Sequence, residues 1–203
     1  MADPAYIVDG VLTDGEAWVG IATTTLGVDT ATVTFTSPDD GSSTDWSQFM
    51  DLVVVIYGRT DSVATSDVIQ LAVNNDTTNG NYSMQRFYGY AGAAAANSSA
   101  ASSYKFAEME CPAANSPANV FAAGVIHCFD VNSGKYKSNV LTCASDGWSA
   151  LGTTDDGWVH LQANTWKSQA PITEFDFTSS FGTNIVAGSM FSLFGVLPRM
   201  VTA

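Results

Sequence analysis

Leu52-Val53-Val54-Val55-Ile56-Tyr57, then the polar connection of residues 58–67, then Val68-Ile69-Gln70-Leu71-Ala72-Val73: this stretch decides the fold. The first segment is apolar, rich in β-branched residues and shorter than an ordinary helix, so it reads as a strand covered on both faces. The second places Ile69, Leu71 and Val73 on one side and Gln70 on the other. Asn74-Asn75-Asp76 then stops it with residues that accept tight turns. The two segments are expected to pair as the central antiparallel strands of a β-sandwich. Nothing in the stretch is arranged for catalysis.

Working outward, Ala31-Thr32-Val33-Thr34-Phe35-Thr36 alternates cleanly, with Ala31, Val33 and Phe35 inward. Residues 82–90 form an aromatic strand. Residues 119–130 put Val120, Ala122, Gly124, Ile126 and Cys128 on one face. Asn132-Ser133-Gly134 marks a hairpin into residues 136–144. Residues 158–166, 172–177 and 187–196 supply further short strands. The Ala/Ser-rich residues 91–103 are interrupted by Gly92 and Asn97-Ser98-Ser99, which leaves no unbroken run of the roughly 12–15 residues at which an isolated helix holds, and are expected to form a long mobile loop. The fold class is therefore all-β: an antiparallel β-sandwich, jelly-roll-like, with a short N-terminal arm. Residues 1–24 form the arm or an edge segment, and residues 25–203 form a single domain. Within the leading segment Tyr6, Ile7, Trp18, Val19 and Ile21 are apolar enough to need cover. They either dock on another subunit or lie as an edge strand of their own domain.

The 203 residues are 46% hydrophobic, enough to fill a core. Twenty Asp and Glu against seven Lys and Arg give a net charge of −13. Nucleic-acid binding needs clustered cations, and the seven do not cluster. The same sign disfavours an anionic membrane surface, and no run approaches the roughly 20 apolar residues of a membrane helix. Met1-Ala2-Asp3-Pro4 begins no secretory signal, which points to synthesis and assembly in a cytoplasm. Cys111, Cys128 and Cys143 lack metal-ligand spacing and read as small buried thiols, with a Cys128–Cys143 bridge as the alternative.

Histidine is scarce. His127 follows Ile126 and precedes Cys128, which face the opposite way, so His127 and Cys128 make no dyad. His160 sits between Val159 and Leu161 with the same alternation. Both imidazoles are expected to face solvent or an interface. The carboxylate pairs Glu108 and Glu110, Asp155 and Asp156, and Glu174 and Asp176 fit turns and solvated faces. Asn74, Asn75, Asp76 and Asn79 lack a full calcium ligand pattern. No catalytic residue, cofactor or metal is assigned. Trp18, Trp46, Trp148, Trp158 and Trp166 sit near strand ends, where they cap the sandwich or contact subunits or sugar rings.

Several pieces in order carry a resemblance. They are Thr25-Leu26-Gly27 before residues 31–35, then residues 52–59, then Leu71-Ala72-Val73-Asn74-Asn75-Asp76 with Asn81-Tyr82. Gly134-Lys135-Tyr136-Lys137, Trp166-Lys167-Ser168 before Ala170-Pro171-Ile172-Thr173, and residues 187–196 continue the series. Together, over residues 25–196, the chain resembles tailed-phage virion proteins with a jelly-roll-like sandwich. The resemblance implies a structural role in the particle, commonly as a homotrimer, without catalytic residues. It implies a capsid decoration (cement) protein bound to the major capsid protein on the outer surface of the virion, or the receptor-binding tip of a fibre that recognises host glycans. No repetitive shaft precedes the sandwich, which sets the expectation at decoration.

Overall fold

The computed structural model describes residues 7–8, 11–12, 18–90, 92–100, 105–145 and 157–197. β1 (Ile7–Val8) and β2 (Val11–Leu12) pair in a two-stranded ribbon. Then come β3 (Trp18–Thr25), β4 (Thr32–Thr36), β5 (Asp51–Gly58), β6 (Ser66–Val73), β7 (Tyr82–Tyr90) and β8 (Ala93–Ala100). They are followed by β9 (Ala107–Pro112), β10 (Ala122–Phe129), β11 (Lys137–Ser145), β12 (Trp158–Trp166), β13 (Glu174–Ser179) and β14 (Met190–Val196). A large sheet runs β3-β14-β5-β10-β11-β12-β7-β8 and a small one β4-β13-β6-β9, with every pairing antiparallel. The architecture is all-β and sandwich-like. None of the helices among the described residues is long and apolar enough to cross a membrane.

The founding stretch is a correction. β5 and β6 do not pair; they belong to opposite sheets and face each other across the core. A Cβ added at Gly58 would lie 2.5 Å from Ile69 Cδ1, which shows how closely the layers meet. The connection between them is an arch, too long for the two-to-five-residue loop of a hairpin. Its polar groups hold it to the body of the protein. The Asp61 carboxylate accepts from the backbone N–H groups of Thr183 and Asn184 at 2.7 and 2.9 Å. The buried Arg59 guanidinium donates to the carbonyls of Ala113, Ser116 and Pro117 at 2.7, 2.9 and 2.7 Å. Such an array satisfies a buried cation without a counter-ion and shapes the loop after β9.

The inward residues that period assigns are buried on several strands, but Ala31 is exposed and precedes β4. Ile69, Leu71 and Val73 of β6 and Ala122, Ile126 and Cys128 of β10 are buried, as are Val33 and Phe35 of β4. Phe175 and Phe177 fill the middle of the small sheet; Phe177 meets Phe191 of β14 at 5.1 Å and Phe175 meets Trp46 at 5.0 Å. Each such side chain contributes about 1.5–3 kcal/mol by leaving water. The three cysteines are buried and free. Cys128 lies opposite Asn139, whereas Cys143 lies opposite Gly124, four residues away along β10. That separation of about 13 Å is beyond the reach of a disulfide.

One edge of the large sheet differs from expectation, and the other follows one of the two readings open for it. Ala93–Ala100, expected to be loop, pairs with β7 along its whole length and forms one edge of the large sheet. Alanine has little intrinsic preference for strand, so β7's free hydrogen-bonding groups decide the matter. At the other edge Trp18–Thr25 pairs with β14, with a bulge at Leu193/Phe194. The part of the leading segment from Trp18 onward is thus an edge strand of the large sheet.

Candidate functional site

Strand alternation divides the large sheet into a face toward the small sheet and a face away from it. On the outer face the register aligns Ser192, Val55, Val125, Thr142, Leu161 and Phe87 in one row across six strands. The next row holds Met190, Tyr57, Ala123, Ala144, Val159 and Gly89. Among the described residues thirteen large hydrophobics are exposed, and eight of them lie on this face. Val159 is 64% exposed, Phe87 56% and Leu161 50%. Solvent-facing sheets ordinarily alternate apolar-in and polar-out. A contiguous apolar patch of this kind marks an interaction surface.

The face is also without free charge. Its one carboxylate among the described residues, Asp51, is buried, accepts from Asp130 N–H at 2.8 Å and lies 2.9 Å from His127 Nε2. The His127 ring stacks on Phe129 at 4.2 Å. The side chains of Leu161 and Phe87 stand beside a recess of about 270 Å³ lined by Ala96, Val140 and Ala163. A second recess of about 460 Å³ lies over Ala123, Val125, Thr142 and Ala144. Ridges and hollows therefore alternate on one surface.

The inner face changes character along the sheet. Beneath β5 it is apolar, but beneath β11 and β12 it presents Asn139, His160, Gln162 and Asn164, all buried. Gln162 serves β9, the edge of the small sheet, and Asn139 serves Phe106 just before it. Gln162 Oε1 accepts from Glu108 N–H at 3.2 Å, and its amide group donates back to the Glu108 carbonyl. The Asn139 amide donates to the Phe106 carbonyl and accepts from Asn164 Nδ2 at 2.8 Å. His160, expected at the surface, is 1% exposed. Burial, with Arg86 adding repulsion, pushes it down to about 4.

Of the carboxylate pairs, Glu108 and Glu110 lie here; Glu174 and Asp176 are on β13, where they accept from Thr36 and Thr34, and Asp155 and Asp156 lie outside the described residues. Glu108 is held by Lys105 at 2.8 Å and Arg86 at 3.5 Å. Burial pushes Glu110 up to about 7, against the pull of Arg86. The recess beside Glu108 measures about 10 Å³, which is room for about one water and not for a substrate. In the turn weighed for calcium, Asp76 accepts from Trp166 Nε1 and Asn81 Nδ2, both at 2.7 Å, and Asn74 Oδ1 accepts from Thr173 N–H at 2.8 Å. Those oxygens clasp strands together. Among the described residues no group of three or more His, Cys, Asp or Glu is placed to hold a metal.

Of the expected interface residues, Tyr6 lies outside the described residues, and Ile7 belongs to β1, its side chain outside the description. Trp18 is 47% exposed and packs against Phe194, 6.0 Å away, at the margin of the outer face. Val19 and Ile21 are half-buried against the core. Trp46 and Trp166 are core residues, and Trp148 lies outside the described residues. The outer face itself escaped sequence reasoning. Its signal was the doublet Val159 and Leu161 flanking His160, which on β12 is apolar-out and polar-in. Comparison of the chain with protein-family models, curated proteins and solved structures finds no match.

Proposed function

We propose that this chain is a phage virion structural protein, a jelly-roll-like capsid decoration (cement) protein that binds the major capsid protein on the shell's outer surface. It works by area and shape, with no bond made or broken. One observation carries the reading: a sandwich of strongly acidic composition leaves a broad, uncharged, apolar sheet face open. That is the surface of a protein built to be covered by protein. The leading segment, with Tyr6, Ile7 and Trp18, supplies the contact with the coat. Linking that contact to others on the same particle raises the effective affinity. The test is co-sedimentation of the purified protein with coat shells lacking it. The full chain should pellet with the shells and raise their melting temperature; a chain lacking residues 2–17, which keeps β3, should stay in the supernatant. Shells that ignore the full chain would refute decoration.

A second reading, the tip of a fibre that recognises glycans, draws on the aromatic rings at one end of the sandwich. Tyr57 stacks on Phe121 at 5.1 Å and Tyr90 on Trp158 at 4.4 Å, and Phe121, Tyr90 and Trp158 line a recess of about 620 Å³. Flat rings beside a hollow suit sugar faces. Copy number in intact virions, read by mass spectrometry, separates the two: in proportion to coat protein for decoration, a small fraction of it for a tip.

A further inference from the structure

We infer that the outer face of the large sheet is covered by the same face of a second copy of this chain, paired about a two-fold axis. The inference rests on reading that face as an assembly surface and names its occupant. Charge is the first argument. A cationic partner, which an acidic chain would attract, meets carboxylates at its contact. Here the only carboxylate among the described residues of the face is Asp51, already engaged by His127 and Asp130 N–H. The partner surface is therefore uncharged and apolar as well, as this face is. Pairing it with itself leaves the charge of each −13 copy at the periphery, where water and salt screen it.

Shape is the second argument. The Phe87 and Leu161 ridge lies beside hollows floored by Ala96, Ala123, Ala144 and Ala163. A two-fold pair sets the same patch of each copy against the other, so it needs a face that holds both ridges and hollows, and this face holds both. Two sheets packed this way interdigitate at a spacing of about 10 Å.

Area is the third. Six strands from β14 to β7, about 4.8 Å apart, with about seven residues rising about 3.4 Å each, give roughly 600–700 Å² per copy. Two copies would bury about 1,200–1,400 Å², within the lower range of specific stable pairs.

Sedimentation equilibrium of the full chain at roughly 100 μM, above the micromolar weak end of the range that interfaces of standard size span, tests the inference. The expected mass is twice 21.4 kDa, undiminished by high salt because no ion pair crosses the interface. Leu161→Glu and Val159→Glu change residues 50% and 64% exposed, so the sandwich should stay folded by circular dichroism. Each should sediment as a monomer. A monomeric parent chain, a trimer, or a dimer untouched by both substitutions would overturn the inference. Shell binding by a monomeric Leu161→Glu chain would still support decoration, and a dimer that binds no shell would sink decoration while leaving the pairing intact.

Discussion

β5 and β12 lie in the same sheet with two strands between them and obey opposite rules. On β5 the inward positions are Leu52, Val54 and Ile56; on β12 they are His160, Gln162 and Asn164, with Val159, Leu161 and Ala163 turned outward. The difference follows from what lies beneath. The small sheet has four strands against eight, so under β12 the nearest layer is the unpaired edge of β9. An edge strand presents bare N–H and C=O groups, which cost free energy if buried without partners. Side-chain amides from β11 and β12 supply those partners. Polar residues thus occupy the inside of β12, and its apolar residues are left facing out. Interior and exterior are defined by partners and not by hydropathy.

The sharpest way to break this comparison uses one residue type on both faces. Leu141→Ala empties an inward, fully buried site on β11 and should cost about 2–5 kcal/mol in chemical denaturation. Leu161→Ala, outward on the adjacent β12, should change monomer stability by less than about 0.5 kcal/mol. Equal costs would mean that the outer face is not a surface of the monomer. A smaller effect is expected at Gln162. Gln162→Leu strands the Glu108 N–H and carbonyl and should cost about 1–3 kcal/mol, with faster hydrogen exchange at Glu108. If the leucine variant were as stable as the parent, the polar interior would not be serving the edge.

The smallest effect is in the pH dependence, because two buried groups oppose one another. His160, at about 4 when folded against an ordinary 6.5, makes stability rise with pH between those values, since the unfolded chain then holds more protons. Glu110, at about 7 against 4.5, makes stability fall with pH over its own window, since the folded chain holds more. Arg86, Glu108, Ser66 and Asp67 surround Glu110, and Arg86 also acts on His160. The parent chain should be nearly flat between about pH 4.5 and 6.5. Glu110→Gln should unmask a rise with pH there, and His160→Gln a fall. Melting temperatures across that range check both signs.

Much of the fold was legible where a strand has one apolar side. β4, β6 and β10 alternate, and their inward residues were assigned from period alone, because one face of each packs on a hydrophobic layer. Two strands were not. Ala93–Ala100 carries no pattern, and becomes a strand because β7 offers it a ladder. β12 carries a clear pattern with its sense reversed: His160, expected to face solvent or an interface, is inward, and Val159 and Leu161 are outward.

What the amino-acid sequence determines by itself, then, is an all-β chain of short antiparallel strands, strongly acidic, with three buried thiols. Local period and turn chemistry act over a few residues and suffice for that. Which strands pair was decided only in three dimensions. β5 and β6 adjoin in sequence yet face across the core, because the arch at Arg59 and Asp61 finds its hydrogen-bond partners in loops more than fifty residues away. The open apolar face was decided in the same way: the edge of β9 takes polar side chains of β11 and β12 as partners on the inner face, and strand alternation turns Val159 and Leu161 outward.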